Sequence, residues 1–257
     1  MPQSNEPVLT DEPAFLLTTV GPWVGAFLAR ACAGDDLLDE LRALDAPAQI
    51  VDADSGECTT WLEAAAAATA ISIRLPAPGD PAGLPPGPAG SAAAHVGEAL
   101  VLADEHGPRV IVPTRGPDEP TSWVAHRVPL VPEQPTTGLG EARATLLESM
   151  GEATAALAAL PGSSDGDPAT LRGDLARRVT RYSPVFPPGV DGRAVDVAGL
   201  AAQVLGTLDL ARARRASFGL ATADAQHSEA TLREVSAAAH GALATAVNRV
   251  VDDYTRR

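Results

Sequence analysis

The sequence predicts an α+β protein, with a mixed α/β sheet layer in its N-terminal half and a helical bundle in its C-terminal half. Three observations point there. Before residue 135, short apolar runs alternate with turn residues, the pattern of strands and short helices. After residue 138, apolar residues recur at three- and four-residue steps, the pattern of packed helices. Between them lies PEQPTTG (132–138), which predicts a boundary between an acidic mixed α/β domain (1–135) and an α-helical bundle domain (136–257). The chain has 257 residues, 45% hydrophobic but only 4% aromatic, so the core is expected to be Ala, Leu and Val in close-packed elements.

Taken in order, Pro22 predicts the first turn of a helix in which Trp23, Phe27 and Ala31 share a face and Gly34 is the stop. Asp35 predicts the N-cap of a second helix with Leu37, Leu38 and Leu41 on one face. AQIVDADSGECTTWL (48–62) reads as a strand, a turn at Asp54-Ser55-Gly56 and a short return. WLEAAAAATA reads as a helix, AISIRLP as a strand and SAAAHVG as one helical turn. EALVLADEHGPRVIVPT predicts a hairpin about His106-Gly107-Pro108, and SWVAHRVPLV one more strand, for four to six strands in all. In the C-terminal half a seam of Leu139, Ala142, Leu146, Met150, Ala153, Leu157 and Leu160 predicts a first helix, and Pro168 to Tyr182 a second. A third, from about Arg193 to Arg215, carries Val197, Leu200, Val204, Leu208 and Ala211. The last, from about Ala221 to Tyr254, carries Leu232, Val235, Ala239, Leu243, Ala246 and Val250.

Charge excludes whole classes of chemistry. All 19 basic residues are arginine, as a GC-rich coding composition favours, and there is no lysine. Conventional P-loop, protein-kinase, Schiff-base, pyridoxal-phosphate and S-x-x-K mechanisms each need one. Residues 1–135 hold 19 acids against 6 arginines, whereas residues 136–257 hold 14 against 13. An acidic front half argues against nucleic acid. Cys32 and Cys58 have no metal or disulfide spacing, and the N-terminus carries acids where a secretory signal needs positive charge. The uncharged stretch Ala14–Ala29 is interrupted by Gly21 and Pro22 and is too short to span a bilayer. A cytoplasmic protein without membrane insertion is expected.

Several motifs weaken on inspection. Gly162-Ser163-Ser164-Asp165-Gly166 matches a nucleophile elbow, but a helix rather than a strand precedes it. Asp52, Asp54 and Glu63 match three positions of a calcium loop, yet Gly56 stands at a ligand position, so a hairpin turn is expected. His227 and His240 lie 13 residues apart on one helix, too far to share a metal. Arg177, Arg178 and Arg181, and Arg212, Arg214 and Arg215, read as solvated helix ends, with an anion site as the alternative. The remaining candidate is the run Pro76–Gly90, in which ten of fifteen residues are Gly or Pro. A stiffened loop of this length within a sheet domain is a natural ligand site, with Arg74, Gly79, Asp80, Gly83, His95 and His126 around it.

GPWVGAFL with DDLLDEL, LPAPGDPAGLP, and TLREVSAAAHGALATAVN together resemble an uncharacterised protein family of GC-rich actinobacteria, over Gly21 to Asn248. The resemblance implies a bacterial cytoplasmic protein of α/β-plus-helical layout and carries over no activity. The residues point to no catalytic site, cofactor or metal. The first expectation is therefore a non-catalytic interaction or regulatory protein, self-associating through its helices or binding a protein partner. The alternative is a small-molecule-binding protein, or an enzyme of unrecognised type, with its site at the Gly/Pro loop.

Overall fold

The computed structural model describes residues 14–114, 120–134, 137–158, 168–218 and 223–256, with side chains at all of these except 152–158, 168, 214–218 and 223–229. The fold is α+β. Strands β1 (Gln49–Asp52), β2 (Cys58–Thr60), β3 (Ala70–Arg74), β4 (Ala99–Asp104), β5 (Gly107–Thr114) and β6 (Ser122–Arg127) form one sheet in the order β2-β1-β6-β5-β4-β3. β1 and β6 run parallel and every other neighbouring pair is antiparallel. The β1–β2 turn closes on Asp52, whose Oδ1 accepts from the Asp54 and Ser55 N–H groups. The β4–β5 turn is Glu105-His106, one step earlier than expected: Asp104 pairs with Gly107, and Pro108 already lies in β5 opposite Ala103. A two-residue turn needs positive φ nearby, which Gly107 supplies at +104°.

Seven helices lie on one side of this sheet: α1 (Leu17–Leu28), α2 (Gly34–Ala43), α3 (Trp61–Ala66), α5 (Leu139–Ala158), α6 (Pro168–Tyr182), α7 (Gly192–Phe218) and α8 (Ala223–Thr255). Their apolar side chains, with Tyr182 from α6, join Ile50, Ile73, Leu100, Leu102, Ile111 and Trp123 of the sheet in one continuous core. α4 (Pro88–Val96) covers the opposite sheet face, where Ala89 and Ala93 meet Val101, Val110 and Val112. Strand β4 is thus buried on both faces, which is why Ala99–Leu102 reads as an unbroken apolar run. α4 is nine residues long rather than one turn, because Pro88 starts it and Gly97, at φ +83°, ends it.

α1 departs most from expectation. It begins at Leu17, so Pro22 sits inside it and leaves the Thr18 carbonyl without a helical N–H. Two features outweigh that loss. The buried Glu98 carboxylate accepts from the Leu16 and Leu17 N–H groups at 2.9 and 2.7 Å, capping the positive end of the helix. Every residue from Leu17 to Ala26 is also buried. Gly21 and Gly25 permit the approach: a Cβ at Gly21 would overlap Ile73 Cδ1, and one at Gly25 would lie 3.5 Å from Val251 Cα. The helix ends at Leu28, with Arg30 at φ +57°, so Ala31 is outside it and exposed. Gly34 is the first residue of α2 rather than a stop, and Ala33 rather than Asp35 is its N-cap. The cap is made by Asp36, whose carboxylate accepts the Ala33 N–H at 2.7 Å.

In the bundle, α8 packs against α5, α7 and α1, and α6 packs against α7. Ala142, Leu146, Val197, Val204, Leu208 and all six seam residues of α8 are buried. Arg178 is no solvated helix end. It is buried and donates to Asp209 of α7 at 2.7 Å, with Arg181 3.7 Å from the same carboxylate. Within α7, Gly192–Ala213 is long and apolar enough to cross a membrane by length and composition, and half of its apolar window is buried inside the protein.

α8 also closes the sheet. β3 is an edge strand, and the Asn248 amide takes the place of a neighbour: Oδ1 accepts the Ile73 N–H at 2.6 Å, and Nδ2 donates to the Ile73 carbonyl at 2.8 Å. Asn248→Ala strips both partners from a partly buried peptide unit. It is expected to lower the urea unfolding free energy by about 2–4 kcal/mol, whereas substitution of exposed Ser91 by Ala should leave it unchanged.

Candidate functional site

The Gly/Pro run folds as two successive turns. Ala77 and Asp80 exchange backbone hydrogen bonds of 2.9 Å around Pro78-Gly79, with Gly79 at φ +90°, the geometry of a type II turn. Pro81 O then accepts the Leu84 N–H at 3.0 Å, with Ala82 and Gly83 at φ +52° and +72°. Asp80 Oδ1 accepts the Ala82 N–H at 2.8 Å, and Leu84 is anchored in the apolar layer under α4. The segment expected to be a boundary docks on this loop, since Gln134 Nε2 donates to the Ala82 carbonyl at 2.7 Å.

Beneath the loop, at the end of β3, lies Arg74. It is only 5% exposed. Nη2 donates to the Pro132 carbonyl at 3.2 Å, while Nε and Nη1 have no acceptor. No carboxylate pairs with it among the described residues. Burial alone pushes its pKa below the ordinary arginine value. A Cβ at Gly83 would sit 3.7 Å from Nη1, so the loop backbone lies directly over the guanidinium.

Arg74 borders an open groove of about 1310 Å³. One wall is the sheet and loop, with Ser72, Val101 and Asp80; another is α8, with Gly241, Thr245 and Asn248; the first turns of α5 and α7 complete it. His240 of α8 lines it too. Its ring packs edge-on against Phe15 at 5.5 Å, and Nδ1 is buried without a partner. Burial, reinforced by Arg212, pushes its pKa down to about 4 against a weaker opposing pull from Asp80, so the imidazole is neutral at neutral pH.

Of the residues expected around the loop, Arg74 and Asp80 line the groove and Gly83 covers Arg74. Gly79 is at the tip of the first turn with open space around it. His95 lies exposed in the last turn of α4, and His126 lies on β6 opposite Val110; neither lines the groove, and no hydrogen bond or ion pair joins them. Asp52 is taken up by its turn, and Glu63 by capping α3, where its carboxylate accepts the Thr60 N–H. The Gly162–Gly166 motif lies outside the described residues. His240 was not legible as a site residue, because Phe15, Asp80 and Arg212, which define its surroundings, come from three distant segments.

Residues 17–139 match the family model described as Rv1486c-like protein, N-terminal domain, and residues 140–244 match Rv1486c-like protein, C-terminal domain. The chain belongs to the Rv1486c-like family. That family is named after a mycobacterial protein, in keeping with the actinobacterial resemblance, and has no assigned activity. No curated protein and no solved structure matches the chain. In this Rv1486c-like chain the groove draws on both matched regions, with Arg74 and Asp80 from the first and His240 from the second.

Two outcomes are expected in solution. Arg74→Met removes a buried cation that has no counter-charge among the described residues, and should raise the unfolding free energy of the unliganded protein by about 1 kcal/mol or more in urea titration. His240 has a folded pKa of about 4, below its unfolded value near 6.5. Stability due to the neutral ring is therefore complete above that unfolded value and is lost as pH falls through the interval, by up to ~3 kcal/mol. Urea midpoints of His240→Leu compared with the parent across this interval should show that part of the pH dependence removed.

Proposed function

We propose that the protein binds a small anionic molecule in the groove between the Gly/Pro loop and α8. One observation carries this: Arg74 is buried with two of its nitrogens lacking acceptors. An uncompensated buried charge costs several kcal/mol, and buried charges are ordinarily paired. A chain with 33 acids and a net charge of −14 is rich in carboxylates, yet among the described residues the guanidinium meets only a backbone carbonyl. An anionic ligand would supply the missing partner, and the open groove that Arg74 borders has room for one.

The same reading is of a non-catalytic, cytoplasmic bacterial protein, supported by the acidic composition and by the absence of lysine chemistry. A ligand touching Arg74 and α8 together would tie the two halves, which is how a regulatory role would arise. Self-association through helices has weaker support, because the seams that suggested it close on one another: α5 and α7 both pack on α8.

Differential scanning calorimetry against inorganic phosphate, citrate and 3-phosphoglycerate tests the reading. A binding anion at a hundred times its Kd should stabilise the protein by about 2.7 kcal/mol, and Arg74→Met should remove the effect. If none of the three gives an Arg74-dependent shift, the reading fails.

A further inference from the structure

We infer that the ligand carries two separate anionic groups, one met by Arg74 and the other by the N-terminus of α5 together with Arg143 and Arg193. The inference rests on the groove reading above and specifies its ligand. Gly138, Leu139 and Gly140, which open the 20-residue helix α5, line the same groove as Arg74. The Ala142 N–H makes the first hydrogen bond of α5, to the Gly138 carbonyl, and the N–H groups of Leu139, Gly140 and Glu141 before it have no acceptor among the described residues. A Cβ at Gly138 or Gly140 would meet nothing within 4 Å, so the backbone is open to an approaching group. Such a terminus offers free donors and a positive half-charge. The 27-residue helix α7 brings its first turn to the groove as well, through Asp191 and Arg193.

The arginines there are placed against the helix field. Arg193 is the second residue of α7 and Arg143 the fifth of α5, so both put positive charge at the positive end of a helix. Both are exposed, line the groove and pair with no carboxylate among the described residues. Arg249 and Arg256 of the same groove do pair, with Asp253 and Asp252 one turn away on α8. Of the carboxylates that line the groove, Asp191 accepts the Arg193 N–H and Asp80 the Ala82 N–H, and Glu133 and Asp196 lie there without an ion pair to either arginine.

The two receptors differ in kind. Arg74 is buried and fixed under the loop, whereas the α5 terminus and its arginines face solvent. A single oxyanion satisfies one of them. A molecule with phosphate or carboxylate groups at both ends satisfies both, with its spacer across Val101 and Ala103 of the sheet and Ala237 and Ala244 of α8, all of which line the groove.

Isothermal titration with matched probes decides the matter: fructose 1,6-bisphosphate against fructose 6-phosphate, and adipate against hexanoate. In the parent protein one two-headed probe should bind at least about tenfold tighter than its one-headed partner, and the responding pair identifies phosphate or carboxylate. The exposed double variant R143Q/R193Q should bring the two-headed probe down to the one-headed affinity and leave the one-headed probe unchanged. Arg74→Met should weaken both. Equal affinity for the paired probes, or no effect of R143Q/R193Q, overturns the two-headed ligand while leaving the Arg74 groove standing. Binding indifferent to Arg74→Met, or no binding of any probe, overturns both.

Discussion

Helix α1 is covered on every side, and the remaining elements are arranged by the need to cover it. From Leu17 to Ala26 every residue is buried. Burying a helix all round requires neighbours close enough to exclude water, and Gly21 and Gly25 allow this toward β3 on one side and α8 on the other. Its first N–H groups must be satisfied away from water, which Glu98 does from the start of β4. The sheet, α1 and α8 are thus held as three successive layers, and the halves of the chain share one apolar core.

That layering sets the position of the groove. Once α8 rests on α1, its Asn248 reaches the free edge of β3 and completes the peptide at Ile73. Arg74 follows immediately in sequence and, by strand alternation, turns to the opposite face, away from the core. There the loop folds over it and residues 132–134 fold over the loop. The bond that closes the sheet edge and the arginine that opens onto the groove are therefore neighbours for a geometric reason. Moving α8 along its axis would disturb both.

The polar groups left without partners lie at two kinds of place. Trp61 Nε1, Arg109 Nε and Arg178 Nε belong to residues packed into structural contacts, and the last two side chains keep a carboxylate partner. Arg74 and His240 differ, because both border the groove and neither has a carboxylate ion pair among the described residues. A protein that held these groups for stability alone would do better with apolar residues. Their cost is understandable where a ligand completes them.

Much of the fold was legible because it rests on local pattern. Short apolar runs between turn residues marked the strands, and the seams of α7 and α8 marked helices that bury Val197, Val204, Leu208 and the six seam residues from Leu232 to Val250. The Gly/Pro run was recognisable as a built loop within the sheet layer, and Arg74 and Asp80 could be named beside it. What local pattern misjudged were ends and partners. Pro22 looked like a helix start because its usual cost is read without Glu98, which lies 76 residues away and stabilises an earlier one. His126 looked as available as His240, since spacing carries no information about which side chain α8 turns toward the loop. Sequence by itself determined the α+β class, the element types and the chemistries closed to a chain without lysine, because these follow from periodicity and composition. Only the tertiary structure decided that Arg74 has no counter-charge among the described residues and that the α5 terminus shares its groove. Both depend on distances between segments far apart in the chain, and no local signal encodes them.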